Sequence, residues 1–243
     1  MAAREVDPAQ PAGLRLTSPL PLVLFVLTFT TGLVDAVSYL GLGQVFTGFV
    51  TGNVVLLGVA LAGAPGFSVA APMTSLGSFL LGALLGGRLS VHFGHPHHRW
   101  LGLALLTEAA FVGLAAACAI GLDVNALTDR RFLVIGLLGL AMGIRNASVR
   151  RLAVPDLTTT VLTLTITGLA ADSPLAGTDA KRPRRRIVAI AAMLLGALVG
   201  ALLVRVSLVL PLIMTAGLVT LTAMAYVGQH ARLQRRQQAP GLN

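Results

Sequence analysis

Charge is scarce in this 243-residue sequence: Asp, Glu, Lys and Arg together make up 11% of it, against about a quarter in an ordinary soluble domain. With a mean hydropathy of +0.83 as well, there is too little polar surface to cover a water-soluble core. Acidic residues are the rarer charged class, 9 against 18 basic ones, for a formal net charge of +9. Such a basic excess could suit nucleic acid, but 55% of the residues are apolar, and disordered or nucleic-acid-binding chains are poor in aliphatic residues. Cysteine is nearly absent. Cys118 stands alone inside an apolar run, which excludes a disulfide framework or a Cys-based zinc site within one chain. Aromatics are sparse too, and Tyr39, Trp100 and Tyr226 fall at the ends of apolar runs, as expected of an interfacial belt.

What the sequence has instead is long apolar runs. A membrane span needs about 20 mostly apolar residues, and such stretches cover 20–40, 46–64, 69–90, 100–121, 132–149, 157–171, 187–204 and 206–227. The second and sixth are shorter and carry Thr, Gly and Asn, so they read as short spans or as re-entrant segments. Basic residues collect in cytoplasmic loops. If all eight segments cross, Arg88, Arg99, Arg145, Arg150, Arg151 and Arg205 fall outside; if the second and sixth do not, only Arg130, Arg131 and Arg205 do. Charge therefore favours six crossings, whereas hydropathy alone accepts eight. Either way the chain reads as a multi-pass membrane protein with both termini cytoplasmic. Residues 1–19 read as a disordered cytoplasmic tail, because the first apolar run is too long for a signal-peptide core and lacks a clear cleavage site. Residues 20–228 read as a single membrane domain and 229–243 as a basic cytoplasmic tail.

The chain also resembles itself. LLGALLG at 80–86 returns as LLGALVG at 194–200, LLTEAAFVG at 105–113 aligns with TLTAMAYVG at 220–228, and GLVDA from Gly32 aligns with GIRNA from Gly143. The matches are in order along the chain and suggest a duplication of residues 20–121 as 132–228. The expected fold is thus an all-α bundle of two tandem related halves, each with three full spans and one short or re-entrant Thr-rich segment. Three crossings per half would invert the second half relative to the first, as in many secondary transporters; four would leave the halves parallel. Ser78, Gly82 and Gly86, like Ala192, Gly196 and Gly200, keep the small-xxx-small spacing that lets helices approach closely. They serve packing within the chain or, alternatively, a homo-oligomer.

Polar groups inside spans are costly and so are candidates for function. Asp35 and Asn146 occupy equivalent repeat positions, and Arg145 adjoins the latter, so an ion pair from Asp35 to Arg145 is expected, as structural glue or as a gate. Glu108 aligns with Ala223 and reads either as an unpaired proton-coupling group or as a neutral acid bonded to a nearby carbonyl; with Arg145 it is a candidate coupling or gating residue. The short segments begin Thr51-Gly52-Asn53 and Pro155-Asp156-Leu157-Thr158-Thr159-Thr160. Asn53 and Asp156 are N-cap types. A helix starting within the membrane offers free N–H groups and a positive dipole end to an anionic or carbonyl-bearing solute. Asp35, Thr51, Asn53, Asn146, Asp156, Thr158, Thr159 and Thr160 are therefore the candidate solute ligands, with threonine back-bonding and simple capping as the alternative.

Other features carry less. His92, His95, His97 and His98 lie in one expected loop without Cys or carboxylate partners, so neither a metal nor another cofactor is implied. The basic run from Lys181 to Arg186 reads as an orientation signal that touches anionic lipid headgroups rather than nucleic acid. No HExxH motif occurs, and the five histidines lie outside the spans, which disfavours an intramembrane enzyme. A small-solute transporter or channel is the leading expectation, with a membrane scaffold or regulator as the alternative.

TGLVDAVSYLGLGQVFTGFVTGNVVLLG from Thr31 and MGIRNASVRRLAVPDLTTTVLTLTITGLAAD from Met142 resemble the YoaK-like family of bacterial integral membrane proteins, a domain of unknown function, over about residues 20–228. Matching positions are Asp35, Ser38, Tyr39, Gly52 and Asn53, then Asn146, Pro155, Asp156 and Thr158 to Thr160. At Arg145 the chain departs from the glutamine expected in that family, which tells against an Asp35–Arg145 pair as a family feature. The resemblance implies a multi-pass location in a bacterial plasma membrane and the fold, and supplies no substrate.

Overall fold

The computed structural model describes residues 19–92, 97–122, 129–152, 162–177 and 183–238, with side chains described outside 19, 97–99 and 230–238. Every regular element among them is helical: α1 (Pro19–Gly41), α2 (Val50–Leu61), α3 (Ala70–His92), α4 (His97–Ala119), α5 (Asp129–Leu152), α6 (Leu162–Ala171), α7 (Pro183–Val204) and α8 (Val209–Gln238), with a single 3-10 turn at Pro174–Ala176. Prolines mark several starts. Pro19 and Pro183 open α1 and α7, and Pro72 and Pro211 lie in the first turns of α3 and α8, where a missing N–H costs no helical bond.

Six helices, α1, α3, α4, α5, α7 and α8, are long and apolar enough to cross a bilayer. The 12 residues of α2 and 10 of α6 extend only about 18 and 15 Å at 1.5 Å per residue, short of the roughly 30 Å hydrocarbon core. Length thus sets the two Thr-bearing segments apart from the spans. Two boundaries differ from the hydropathy reading. His97 and His98 open α4 rather than lying in a loop, and α8 runs on to Gln238 through the basic tail.

Packing pairs α3 with α5, α1 with α7, and α4 with both α5 and α8, while α2 leans on α3 and α6 on α7. The small-residue rows are consumed inside the chain. A Cβ on Gly82 would strike the carbonyl of Leu140, and one on Gly86 would come within 2.9 Å of the Ile144 carbonyl oxygen; Gly196 and Gly200 stand in the same way against Phe29 and Leu33. The contacts are mutual, since Gly143 is pressed on Phe79 and Gly32 on Met193. The leucines between them face outward: Leu80, Leu81, Leu84 and Leu85 on α3, and Leu194, Leu195, Leu198 and Leu202 on α7, are exposed. In a bilayer that surface meets lipid tails.

Two apolar clusters fill the interior. One gathers Leu33, Val37, Val112, Ala115, Ile135 and Leu138; the other gathers Leu24, Leu27, Trp100, Leu105, Val149 and Tyr226. Trp100 and Tyr226 are buried, a correction to their expected place in a lipid-facing belt. Trp100 sits near the start of α4 and Tyr226 well inside α8, and both rings pack against neighbouring helices. Tyr39 is partly exposed.

Candidate functional site

Between the two clusters lies a polar layer from α1, α4 and α5. Threonines of α1 begin it by returning their hydroxyls to the helix: Thr28 donates to Leu24 O at 2.8 Å, while Thr30 and Thr31 both donate to Leu27 O, at 3.1 and 2.8 Å. Arg145 enters from α5, its residue only 1% exposed. Its Nη1 donates to Leu27 O at 2.8 Å and to Thr31 Oγ1 at 2.7 Å, and its Nη2 to Thr30 Oγ1 at 2.9 Å. Nη2 also forms an ion pair with Oε1 of Glu108, which is fully buried on α4.

This overturns the expected Asp35–Arg145 pair and the reading of Glu108 as unpaired. The two sequence-level candidates for coupling meet each other instead, because α4 packs directly on α5 and brings Glu108 to the face that carries Arg145. A buried guanidinium cannot shed its proton, so it needs both a counter-charge and acceptors for its remaining N–H groups. Thr30 and Thr31, absent from the sequence-level candidates, supply part of that shell. Their signal was present: Thr28, Thr30 and Thr31 form a polar cluster within the first apolar run.

Asp35 lies one turn beyond Thr31 on the same face of α1, where both border Gly48, and it reaches the segment between α1 and α2. The chain reverses there through Gly43 and Gln44, at φ 99° and 55°, and returns along α1. Asp35 Oδ1 accepts the N–H groups of Thr47 at 3.0 Å and Gly48 at 2.7 Å. The donors just before α2 are thereby taken by the protein's own carboxylate. The expected anion seat next to this short helix is thus partly filled from within, at Thr47 and Gly48.

Asn53 holds the same segment from the far side. It lies in the first turn of α2, where Phe49 occupies the N-cap position without a side-chain bond, so Asn53 is not the expected cap. Fully buried, it accepts from Phe46 N at 2.9 Å through Oδ1, and its Nδ2 donates to Phe46 O and, at 3.0 Å, to Ser75 Oγ. Ser75 of α3 donates to the same carbonyl at 2.7 Å. Asn53 is thus a clamp on the reversal rather than a wall of a cavity. Asn53→Ala should cost about 1–3 kcal/mol by stranding the Phe46 amide, read as a lower midpoint of thermal unfolding in detergent; an unchanged midpoint would show the clamp to be idle.

The clamped segment walls a cavity of about 600 Å³. Thr31, Asp35 and Tyr39 face it from α1, Phe46 and Gly48 to Thr51 from the reversal and the start of α2, Leu162, Thr163 and Ile166 from α6, Phe79 from α3 and Met193 from α7. Its volume falls in the range of small-molecule sites. Thr31 joins the two polar features, accepting from Arg145 and bordering the cavity. Among the sequence-level ligands, Asp35 and Thr51 reach this cavity and Asn53 does not. Asn146 donates to Met142 O of its own helix at 2.9 Å. Asp156, Thr158, Thr159 and Thr160 lie outside the described residues.

The basic run before α7 is only partly a surface feature. Lys181 and Arg182 lie outside the described residues, Arg184 is exposed, and Arg185 and Arg186 are buried. Arg186 bonds to Gly168 O and pairs with Asp172 at 2.8 Å, fastening α7 to the C-terminal end of α6, where a cation is favoured. No group of His, Cys, Asp or Glu suited to a metal occurs among the described residues.

Comparison with known proteins reaches the same region. A family model described as "Protein of unknown function (DUF1275)" matches residues 23–225. The UPF0700 transmembrane protein YoaK of Bacillus subtilis (strain 168) is 32% identical over 154 residues, which are 62% of this chain and 65% of that protein. The alignment therefore spans just under two-thirds of the relative. No solved structure matches the chain.

Proposed function

This chain belongs to the DUF1275 family of proteins of unknown function, and on that premise we propose that it is a small-solute transporter or channel, not an enzyme, built from two inverted halves. That it is a multi-pass membrane protein follows from its six long apolar helices and its transmembrane relative. The single observation that carries the proposal is the cavity against Asp35, walled by both short helices at once. Helices that stop inside a membrane are tolerated where they are buried in protein or line a cavity.

The two-halves reading gains support from the helix packing. Gly82 stands on Leu140 and Gly86 on Ile144, while their counterparts Gly196 and Gly200 stand on Phe29 and Leu33. Each pair of acceptors is related by the spacing that relates GLVDA to GIRNA. Phe79 and Met193, equivalent by the spacing that relates LLGALLG to LLGALVG, both wall the cavity, as a site near a pseudo-two-fold axis requires. In this reading α1, α3 and α4 cross as one half and α5, α7 and α8 as the other, in a bacterial plasma membrane with both termini cytoplasmic. Lys181, Arg182 and Arg184 meet anionic headgroups there. A scaffold role is the second reading; the interlocked Arg145–Glu108 layer favours it, since such a layer can serve rigidity alone.

Thiol labelling in a Cys118→Ala background separates these readings. In sealed vesicles of either orientation, His97→Cys should react from the cytoplasmic side and Ala126→Cys from the outer side, and Thr163→Cys, on the cavity wall, from both. Reversal of the first two would put the halves in parallel. Reaction at Thr163→Cys from one side only would leave no path through the membrane and favour the scaffold.

A further inference from the structure

We propose that the cavity beside Asp35 takes a small organic cation, a protonated amine carried on an apolar body. The inference rests on the cavity being the solute site and adds the sign of the solute. Asp35 is 5% exposed, and its two oxygens differ: Oδ1 accepts the amides of Thr47 and Gly48, while the buried Oδ2 has no hydrogen-bond partner. A carboxylate is acceptor-only, so the missing partner must be a donor. An unpaired buried acceptor is costly, and a cationic N–H group is the strongest remedy.

Among the described residues none supplies that cation: Arg145 is committed to Glu108, Thr30, Thr31 and Leu27 O, and no described Lys or Arg walls the cavity. An anion is disfavoured because it would sit against a carboxylate, with the Thr47 and Gly48 amides already spent on Asp35. Space is kept at the right place by Gly48, where a Cβ would lie 2.8 Å from Thr31 Cγ2 and 3.2 Å from Asp35 Oδ2.

Wall chemistry then separates an organic cation from a metal ion. Tyr39 stacks on Phe46 with ring centroids 5.0 Å apart, and Phe46 meets Phe49 edge to face at 5.5 Å; all three line the cavity, with Ile166 and Met193 among the aliphatic walls. Aromatic faces attract a cation. A hard metal ion would instead call for six or more oxygen ligands, and among the described lining residues the only side-chain carboxylate is that of Asp35.

Three probes with one shared ring test this on the purified full-length protein: benzylammonium, benzyl alcohol and benzoate, with Kd measured by calorimetry in detergent. Benzylammonium should bind at least about tenfold more tightly than either of the others, the scale of a charged hydrogen bond. Asp35→Asn keeps an acceptor for Thr47 and Gly48 but turns the Oδ2 position into a donor, so it should erase that preference while leaving benzyl alcohol within about twofold. Tyr39→Leu, at a partly exposed position, should weaken benzylammonium more than benzyl alcohol. Benzoate binding best, or an unchanged benzylammonium Kd in a folded Asp35→Asn protein, would overturn the sign of the solute and leave the cavity as a solute site. Should Asp35→Asn not fold, the ranking of probes on the unaltered protein and the Tyr39→Leu result decide. Failure of all three probes to bind would overturn the solute site along with this inference.

Discussion

Glu108→Leu is expected to lower the stability of the protein by about 3–5 kcal/mol, because it leaves the Arg145 guanidinium buried without its counter-charge. Arg145→Leu should cost less. Its orphan is a carboxyl group, which can take up a proton and become neutral, whereas a guanidinium cannot. The double variant Glu108→Leu with Arg145→Leu should regain most of the loss, since well-packed apolar residues often replace a buried pair without penalty. Reversible unfolding of the four proteins in one detergent, arranged as a double-mutant cycle, measures the coupling. Additive losses would mean that the pair carries no weight. The double variant also addresses role: stability regained with cysteine access to the cavity lost would mark a gate, and both retained would mark structural glue.

The second large effect is expected at the glycines between helices. Gly82→Ala places a Cβ against the Leu140 carbonyl, and Gly196→Ala places one against the Phe29 carbonyl. Backbone oxygens cannot rotate away as a side chain can, so α3 must part from α5, or α1 from α7. Each change should cost about 1–3 kcal/mol or more. Gly113→Ala and Gly228→Ala, in helices where a Cβ meets nothing within 4 Å, should instead gain up to about 1 kcal/mol of helix propensity. Thermal unfolding midpoints of the four variants check both statements. The inverted-halves reading adds a sharper requirement: Gly82→Ala and Gly196→Ala should be about equally harmful. One tolerated and the other severe would show that the two interfaces are not equivalent.

Much of the architecture was legible because membrane spans are a matter of local composition. About 20 apolar residues without charge leave the backbone no option but to satisfy itself as a helix, and all six long helices stand where the apolar runs are. The Gly-rich spacing of LLGALLG and LLGALVG likewise foretold close packing. The polar site was only half legible. Asp35, Glu108, Arg145 and Asn53 stood out as costly residues in apolar runs, yet their expected roles were exchanged: Asp35 went to backbone amides, Arg145 to Glu108, and Asn53 from solute ligand to clamp. Such partnerships depend on which helix faces meet, and the relevant bonds join residues up to 118 positions apart.

The sequence by itself determined that this protein lives in a membrane and which few polar residues must be accounted for, because those properties follow from the cost of burying charge and unpaired backbone. It left six crossings or eight open, and the lengths of α2 and α6 set those two helices apart from the six long ones. Only the tertiary structure decided which charges neutralise one another and which oxygen is left over. Helix pairing distributes the partners, and the acceptor that this distribution leaves over among the described residues of the cavity is Asp35 Oδ2.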